Sequence, residues 1–474
     1  MKTLREWWLG DTVILWTDGL LFVLLGAVVA FAWHARGREH MRAPWREVAR
    51  SRLGMASAVV LSAYLAVALL DSLHFNPRLP SGQGDIKYSP TILSVFDAMV
   101  ASLRERGERS YSAPFATHSF LKDTTELPDG QQRREYPRLQ FGGAHLEHPG
   151  QRTRDVLGIV TRASVEAALA WLALSALVIT WLVRRTKQGW RATLRATIAG
   201  RSETPWNVIL LTTLVALTLA FCSMSLAAKY HIFGTDKVGQ DVFYQALKSI
   251  RTGLLIGTLT TLVMLPFAIL LGVMAGYFRG VVDDVIQYVY TTLNSIPGVL
   301  LIAASVLMLQ VYMANHAEHF KSIEQRSDLR LLFLCIILGI MSWTGLCRLL
   351  RGEALKLREA DYVQAARALG VSHFNILGHH IVPNVMHIVM IAVVLDFSGL
   401  VLAEAVLSYI SIGVDPSMQS WGNMINSARL ELAREPVVWW SLAAAFIFMF
   451  VLVLAANLFA DAVRDAFDPR LRAR

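Results

Sequence analysis

The sequence predicts an all-α, polytopic membrane protein with about nine transmembrane helices, and three observations carry that prediction. Of 474 residues, 54% are hydrophobic and only 17% charged, where soluble domains carry about 25% charged residues. The charges are confined to gaps between apolar runs, each long enough to cross about 30 Å of hydrocarbon as a helix. Basic residues crowd two of those gaps, as short cytoplasmic loops require, so the net charge of +9 needs no nucleic-acid partner.

In chain order the apolar runs cover residues 13–33, 55–73, 156–183, 208–228, 254–277, 285–313, 331–350, 385–407 and 437–459. The first follows Lys2 and Arg5 and holds Ala30-Phe31-Ala32, which mimics a signal-peptide cleavage site. It is longer than a signal core, so a retained anchor is expected. Arg36, Arg38, Arg42, Arg46, Arg50 and Arg52 fill one basic gap, and Arg184, Arg185, Lys187, Arg191, Arg195 and Arg201 the other. Placing both inside and alternating from there puts the N-terminus outside, residues 234–241 and Trp421 outside, and the C-terminus inside. The long polar insert 76–155 then faces outward, either as a small irregular subdomain or as a partly ordered loop. A cysteine placed at Ser112 within it should react with an impermeant label.

The chemistry of a membrane enzyme is missing. No glycine immediately precedes a lysine, so the phosphate-cradling loop that ends Gly-Lys-Ser/Thr is absent, and so is a Gly-x-Ser-x-Gly nucleophile elbow. No catalytic residue and no cofactor are expected. His118, His145 and His148 lack a third ligand at metal spacing, and His379, His380 and His387 read as capping or contact residues, so no metal is expected. Cys222, Cys335 and Cys347 lie in or beside apolar runs with neither disulfide nor zinc spacing. Among intramembrane acids, Glu166 lies near the start of a run, while Asp396 and Glu404 sit two helical turns apart on one face and could line a polar path.

The most regular polar stretch is 353–384. From Glu353 to Leu369 every residue is a fair helix former, with Ala365, Ala366 and Leu369 on one face. Gly370 stops that helix, Ser372 can cap a second one running through His380, and Pro383 ends it or opens the next span. Two short helices joined at a glycine have the shape of a docking knob.

Gln364-Ala365-Ala366, Gly370 and His380-Ile381-Val382-Pro383 resemble the cytoplasmic loop of ABC-importer permeases, whose motif begins Glu-Ala-Ala; here the acid is Gln364. His380 in place of isoleucine, Gly234-Thr-Asp-Lys-Val-Gly-Gln-Asp241, Ser420-Trp421-Gly422-Asn423-Met424 and Asp465-Ala-Phe-Asp-Pro-Arg470 resemble the dipeptide, oligopeptide and nickel branch. The resemblance covers roughly the last half of the chain and implies a permease subunit in the bacterial inner membrane. Its implied partners are a second homologous permease, two cytoplasmic ATP-binding subunits that hydrolyse ATP, and a periplasmic solute-binding protein. It implies alternating access, with Ala365, Ala366, Gly370, Val371, Ser372, His373 and Pro383 docking an ATPase. Four segments are expected: N-terminal helices 1–74, a periplasmic insert 75–155, a further helix and basic loop 156–206, and a permease core 207–474 whose coupling loop is 351–384. A variant takes 55–73 as the first of six core helices, with the next pair inserted.

Residues 242–251 carry Tyr244, Leu247 and Ile250 at helical spacing with Lys248 and Arg251, and read as an amphipathic helix lying on the outer surface. Thr235 and Asp236 can satisfy turn donors, and Asp241 suits a helix N-terminus. With Gly234, Trp421 and Gly422 they are expected to form the collar for the solute-binding protein. The rival readings are an ion-coupled secondary transporter or channel driven through Asp396 and Glu404, and a membrane scaffold without transport.

Overall fold

A computed structural model describes residues 11–37, 39–79, 87–89, 91–126, 132–316, 318 and 322–467. Lys2, Arg5 and Asp468-Pro469-Arg470 lie outside them. In chain order the elements are β1 (Asp11–Val13), α1 (Trp16–Arg36), α2 (Glu39–Arg50), α3 (Arg52–Asp71), β2 (His74–Asn76), β3 (Arg78–Leu79), β4 (Lys87–Tyr88), β5 (Leu93–Ser94), α4 (Val95–Met99), α5 (Ala101–Arg104), β6 (Asp123–Glu126) and β7 (Gln132–Glu135). There follow α6 (Arg152–Thr186), α7 (Trp190–Ile198), α8 (Trp206–Ala227), α9 (Val242–Phe278), α10 (Gly280–Ser295), α11 (Gly298–Asn315), α12 (Ile323–Arg358), α13 (Asp361–Ala368), α14 (His373–Ile376), α15 (Val382–Tyr409), α16 (Trp421–Glu431) and α17 (Trp440–Phe467).

Among the described residues, nine helices are long and apolar enough to cross a membrane, one for each expected run. Three boundaries differ from expectation. The run 285–313 breaks at Ile296-Pro297 into α10 and α11, because a residue before proline is driven out of the helical region. The helix expected through Leu369 stops at Arg358, with Ala360 extended before α13. Residues 242–251 are no separate surface helix: they open the 37-residue α9, and Val242, Phe243, Tyr244, Ala246 and Ile250 are buried.

The chain falls into two compact units. One comprises Met1–Val13, Arg46–Thr252 and Gln419–Phe459; the other comprises Ile14–Trp45, Gly253–Met418 and Ala460–Arg474. In the first, the insert is a folded subdomain rather than a loop. β1 pairs antiparallel with β2, and β2 with β5, so residues 11–13 and the start of the insert share one side of the molecule. Ser94 caps α4 in a reciprocal box with Asp97. Behind it Lys248 Nζ donates to Asp71 at 3.1 Å and to Asp97 at 2.5 Å, and Tyr244 Oη donates to Asp97 at 2.7 Å. Burial alone would raise the Asp97 pKa, but Lys248 and the other donors hold it below the usual carboxylate range. Phe96, Val100, Leu103, Ala227, Phe243 and Tyr244 pack around this cluster. α6 and α8 pack together, with Trp171 Nε1 donating to Leu210 O at 2.7 Å; α3 packs on α8, and Tyr64 Oη donates to Phe448 O at 2.9 Å.

In the second unit, α1 packs on α12, where the Thr17 amide donates to buried Asp328 at 3.1 Å. The core gathers Met264, Ala268, Tyr277, Ile286, Trp343, Leu350 and Ala354 with Val363, Ala366, Ile376, Ile381, Val385 and Val389. Its last six members come from the polar stretch and the start of α15. The stretch 353–384 is thus rooted in the core and does not hang from it as a loop.

Candidate functional site

The site is the segment between α12 and α15. Val363 and Ala366, three residues apart on α13, face the core at 1% and 8% exposure, which anchors that helix by one stripe. Leu369 caps α13. Beyond it Gly370 takes φ +78°, its amide donates to Arg367 O at 3.0 Å, and the Val371 amide reaches back to Ala366 O at 3.1 Å. This is a Schellman ending, which needs a left-handed residue after the cap, and glycine takes that conformation at least cost. Ser372 then caps α14, accepting from the Asn375 amide at 3.4 Å. Ile376 and Ile381 return to the core through a π turn, Leu377–Ile381. Pro383 falls in the first turn of α15, where its missing N–H costs nothing.

Polar contacts fix the segment from behind. Tyr277 Oη lies 2.8 Å from His373 Nδ1, and Arg358 Nη1 donates to Tyr277 O at 3.0 Å. Arg279 pairs with Glu359 at 2.8 Å. Arg351 grips Asp283 with two donors at 2.6 Å each, the fork geometry that suits guanidinium to carboxylate. The face left outward is apolar at its tip: Leu369 is 83% exposed and Phe374 80%, and Tyr362 and Val371 are exposed as well. Two large apolar side chains held in solvent across a rigid turn form a ready-made contact surface.

The sequence-predicted residues sort unevenly. Gly370, Val371, Ser372, His373 and Pro383 are each exposed, and so is Ala365 on α13. Ala366 points into the core, and Leu369, expected on the face it shares with Ala366, is exposed at the C-cap. Phe374 was missed, as was the Asp283–Arg351 pair. The signal for Phe374 was an aromatic four residues beyond the glycine in a polar run.

The expected collar lies in the first unit, and most of it is interior. Gly234, Thr235, Asp241, Trp421 and Gly422 are buried and Asp236 is half-buried. Ser112 N donates to Thr235 Oγ1 at 2.7 Å, and Glu108 N to Gly239 O at 2.9 Å. Gly234 and Gly239 both have positive φ, and a Cβ at either would collide with the Ser112 or Glu108 carbonyl. The insert therefore lies directly on the turn at its two glycines, and of the motif Lys237, Val238 and Gln240 stay exposed. Trp421 Nε1 donates to Ala246 O at 3.0 Å, and Asp241 Oδ1 accepts from the Tyr244 amide at 3.1 Å as the cap of α9. The other Asp241 oxygen lies 2.6 Å from His231 Nδ1, while His231 Nε2 is 3.4 Å from Glu108. Burial disfavours the imidazolium, yet its hydrogen bonds to Asp241 and Glu108 raise the His231 pKa to about 9. Burial would likewise raise Glu108, but His231 and the amides of Gln140, Phe141 and Gly142 bring it down to about 2.

In the second unit Asp396 is half-buried, and Glu404, at 2% exposure, accepts from Ser408 Oγ on its own helix at 2.7 Å. No group of three or more His, Cys, Asp or Glu able to hold a metal occurs among the described residues.

Comparison with known proteins meets this geometry in the same half of the chain. Residues 268–473 match the family model described as binding-protein-dependent transport system inner membrane component. The glutathione transport system permease protein GsiD of Pectobacterium atrosepticum is 31% identical over 244 residues, covering 51% of this chain and 73% of that protein. The oligopeptide transport system permease protein OppC of Mycobacterium tuberculosis is 31% identical over 242 residues, 51% of this chain and 77% of that one. The dipeptide transport system permease protein DppC of Lactococcus lactis is 30% identical over 240 residues, 51% and 64% respectively.

Proposed function

The chain belongs to the family of binding-protein-dependent transport system inner membrane components, multi-pass proteins of the bacterial inner membrane, and from that premise we propose that it is the permease subunit of an ATP-driven importer of di- or oligopeptides. It shares the translocation path with a second, homologous permease and receives solute from an external binding protein. ATP is hydrolysed on two separate chains, which dock on residues 359–384. The observation that carries the reading is the knob around Gly370, with Leu369 and Phe374 in solvent and its root in the core. Closure of the ATPases pushes this knob, and because it joins α12 to α15 the push turns both helices. Peptide as substrate is supported by the names of the relatives, two of them dipeptide and oligopeptide permeases.

α3 is the first core helix in this reading, with α6 and α8 inserted after it. Supporting this, Tyr64 on α3 bonds the α17 backbone and Asp71 at its end meets Lys248 of α9, two helices of the family half. Asp396, half-buried on α15, lines the path, with Glu404 held along the same helix.

The test is co-purification. The chain is co-expressed with candidate Walker-motif ATPases, as wild type and as Leu369→Ser with Phe374→Ser. The double variant should insert normally and lose the ATPases; retention of both ATPases and full solute-stimulated hydrolysis would overturn the docking assignment.

A further inference from the structure

The helical pair α6 and α8, outside the family half, ends in a surface the transport reading leaves unused. Arg184 and Arg185 close the last turn of α6, Lys187 follows as its cap, Arg191 and Arg195 stand one turn apart on α7, and Arg201 precedes α8. All six are exposed. Between residues 184 and 206 the sequence holds one acid, Glu203, and none of the six cations is ion-paired among the described residues.

The arrangement of α7 adds a second observation. Its Thr193 and Thr197 are buried, at 5% and 3% exposure, so its inward edge is the polar one. Trp190 and Ile198, two turns apart, point out at 50% and 70%, flanked by Arg191 and Arg195. A nine-residue helix with apolar and cationic edges both turned away from the protein is built to lie in a membrane interface. Trp181, half exposed near the end of α6, stacks under the Arg185 guanidinium at 5.2 Å and lies 6.1 Å from Trp206 at the start of α8. These rings mark the headgroup level, where tryptophan concentrates. Orientation by positive charge alone would be met by any basic loop and asks for none of this placement.

We propose that the α6–α7–α8 turn is a binding site for the phosphodiester headgroups of anionic phospholipids, with Arg184, Arg185, Arg191 and Arg195 as the phosphate contacts and Trp190 and Ile198 entering the acyl boundary. Charge complementarity and the position at the ends of two spans commit it to lipid.

The experiment equilibrates the purified full-length chain in its complex with mixed micelles of phosphatidylglycerol and phosphatidylcholine, and counts retained lipids by native mass spectrometry. Wild type should hold phosphatidylglycerol over phosphatidylcholine at least tenfold. Each arginine changed to glutamine should lower that preference about fivefold. Replacing all four by lysine should preserve it, and Trp190→Ala should lower retention of both lipids without changing the preference. Equal retention of the two lipids by wild type would overturn the proposal. So would displacement of phosphatidylglycerol by inorganic phosphate at constant ionic strength, which marks a soluble-anion site. Loss of a co-purifying protein from the glutamine variants with lipid retention unchanged would assign the surface to that protein instead.

Discussion

Changing Gly370 to valine isolates the geometry of the coupling knob from its composition. The site is open, with nothing within 4 Å of the position a Cβ would take, but φ is +78°. The penalty is therefore one of backbone conformation, and a side chain in the left-handed region costs about 1–2 kcal/mol. β-branching puts valine at the upper end. The chain can relieve this only by opening the turn, which gives up the Gly370 amide bond to Arg367 and the Val371 amide bond to Ala366. Either way Leu369 and Phe374 no longer stand in one fixed arrangement, and a partner must restore it on binding. The cost reappears as affinity, about 5- to 30-fold weaker. Val363, Ala366, Ile376 and Ile381 keep their burial, so membrane insertion and the melting temperature of the chain should change little. The assay is titration of purified ATPase onto the reconstituted chain. Gly370→Asn serves as control, since asparagine tolerates the left-handed region and should recover most of the affinity. Valine binding as tightly as glycine, or asparagine binding as poorly as valine, would refute the reasoning.

Three further outcomes follow from the first unit. Raised to about 9, the pKa of His231 means its ion pairs stabilise the insert fully below the ordinary imidazole value of about 6.5 and are lost as pH rises through 9; Glu108, held near 2, keeps its contribution above the ordinary carboxylate range and loses it only as pH falls through 2. Limited proteolysis of the insert should therefore accelerate above pH 9, and His231→Gln should remove that inflection; a profile unchanged by the substitution would break the link. The topology test at Ser112 fails on burial alone, since that side chain is 0% exposed; Tyr136, at 52% exposure, takes its place. In a chain freed of Cys222, Cys335 and Cys347, Tyr136→Cys should label in intact cells, and labelling only after lysis would reverse the orientation. Asp241→Lys removes the partner of His231 and the cap of α9 and sets a second cation beside the imidazolium. It should cost on the order of 3–5 kcal/mol, seen as a lower melting temperature with ATPase co-purification intact, and an unshifted melt would contradict the buried-pair reading.

The spans were legible because a run of twenty apolar residues admits one solution in a membrane, a helix with its backbone bonds satisfied internally. The turn at Gly370 was legible for a similarly local reason: glycine after a good helix, then serine as a cap. What the chain pattern did not contain was direction. Ala366 and Leu369 share a helical face in sequence, yet one is in the core and the other, at the helix end, is in solvent. The insert hid its order for another reason. Its strands are two to four residues long and leave no period to detect, while its stability lies in long-range pairs such as Lys248 with Asp97 and His231 with Glu108 that no local pattern announces.

The outer motif shows how a correct local reading can lead to a wrong surface. Asp241 caps α9 and Asp236 accepts the amides of Val238 and Gln240, as the residue types predicted. Those same bonds consume the polar atoms that would otherwise face a partner. Gly234 and Gly239 lack side chains because the carbonyls of Ser112 and Glu108 lie where a Cβ would go. A turn whose glycines are shaped by an approaching backbone is already covered by that backbone. The surface left on this side of the unit is therefore shared between the insert and the motif's own exposed Lys237, Val238 and Gln240.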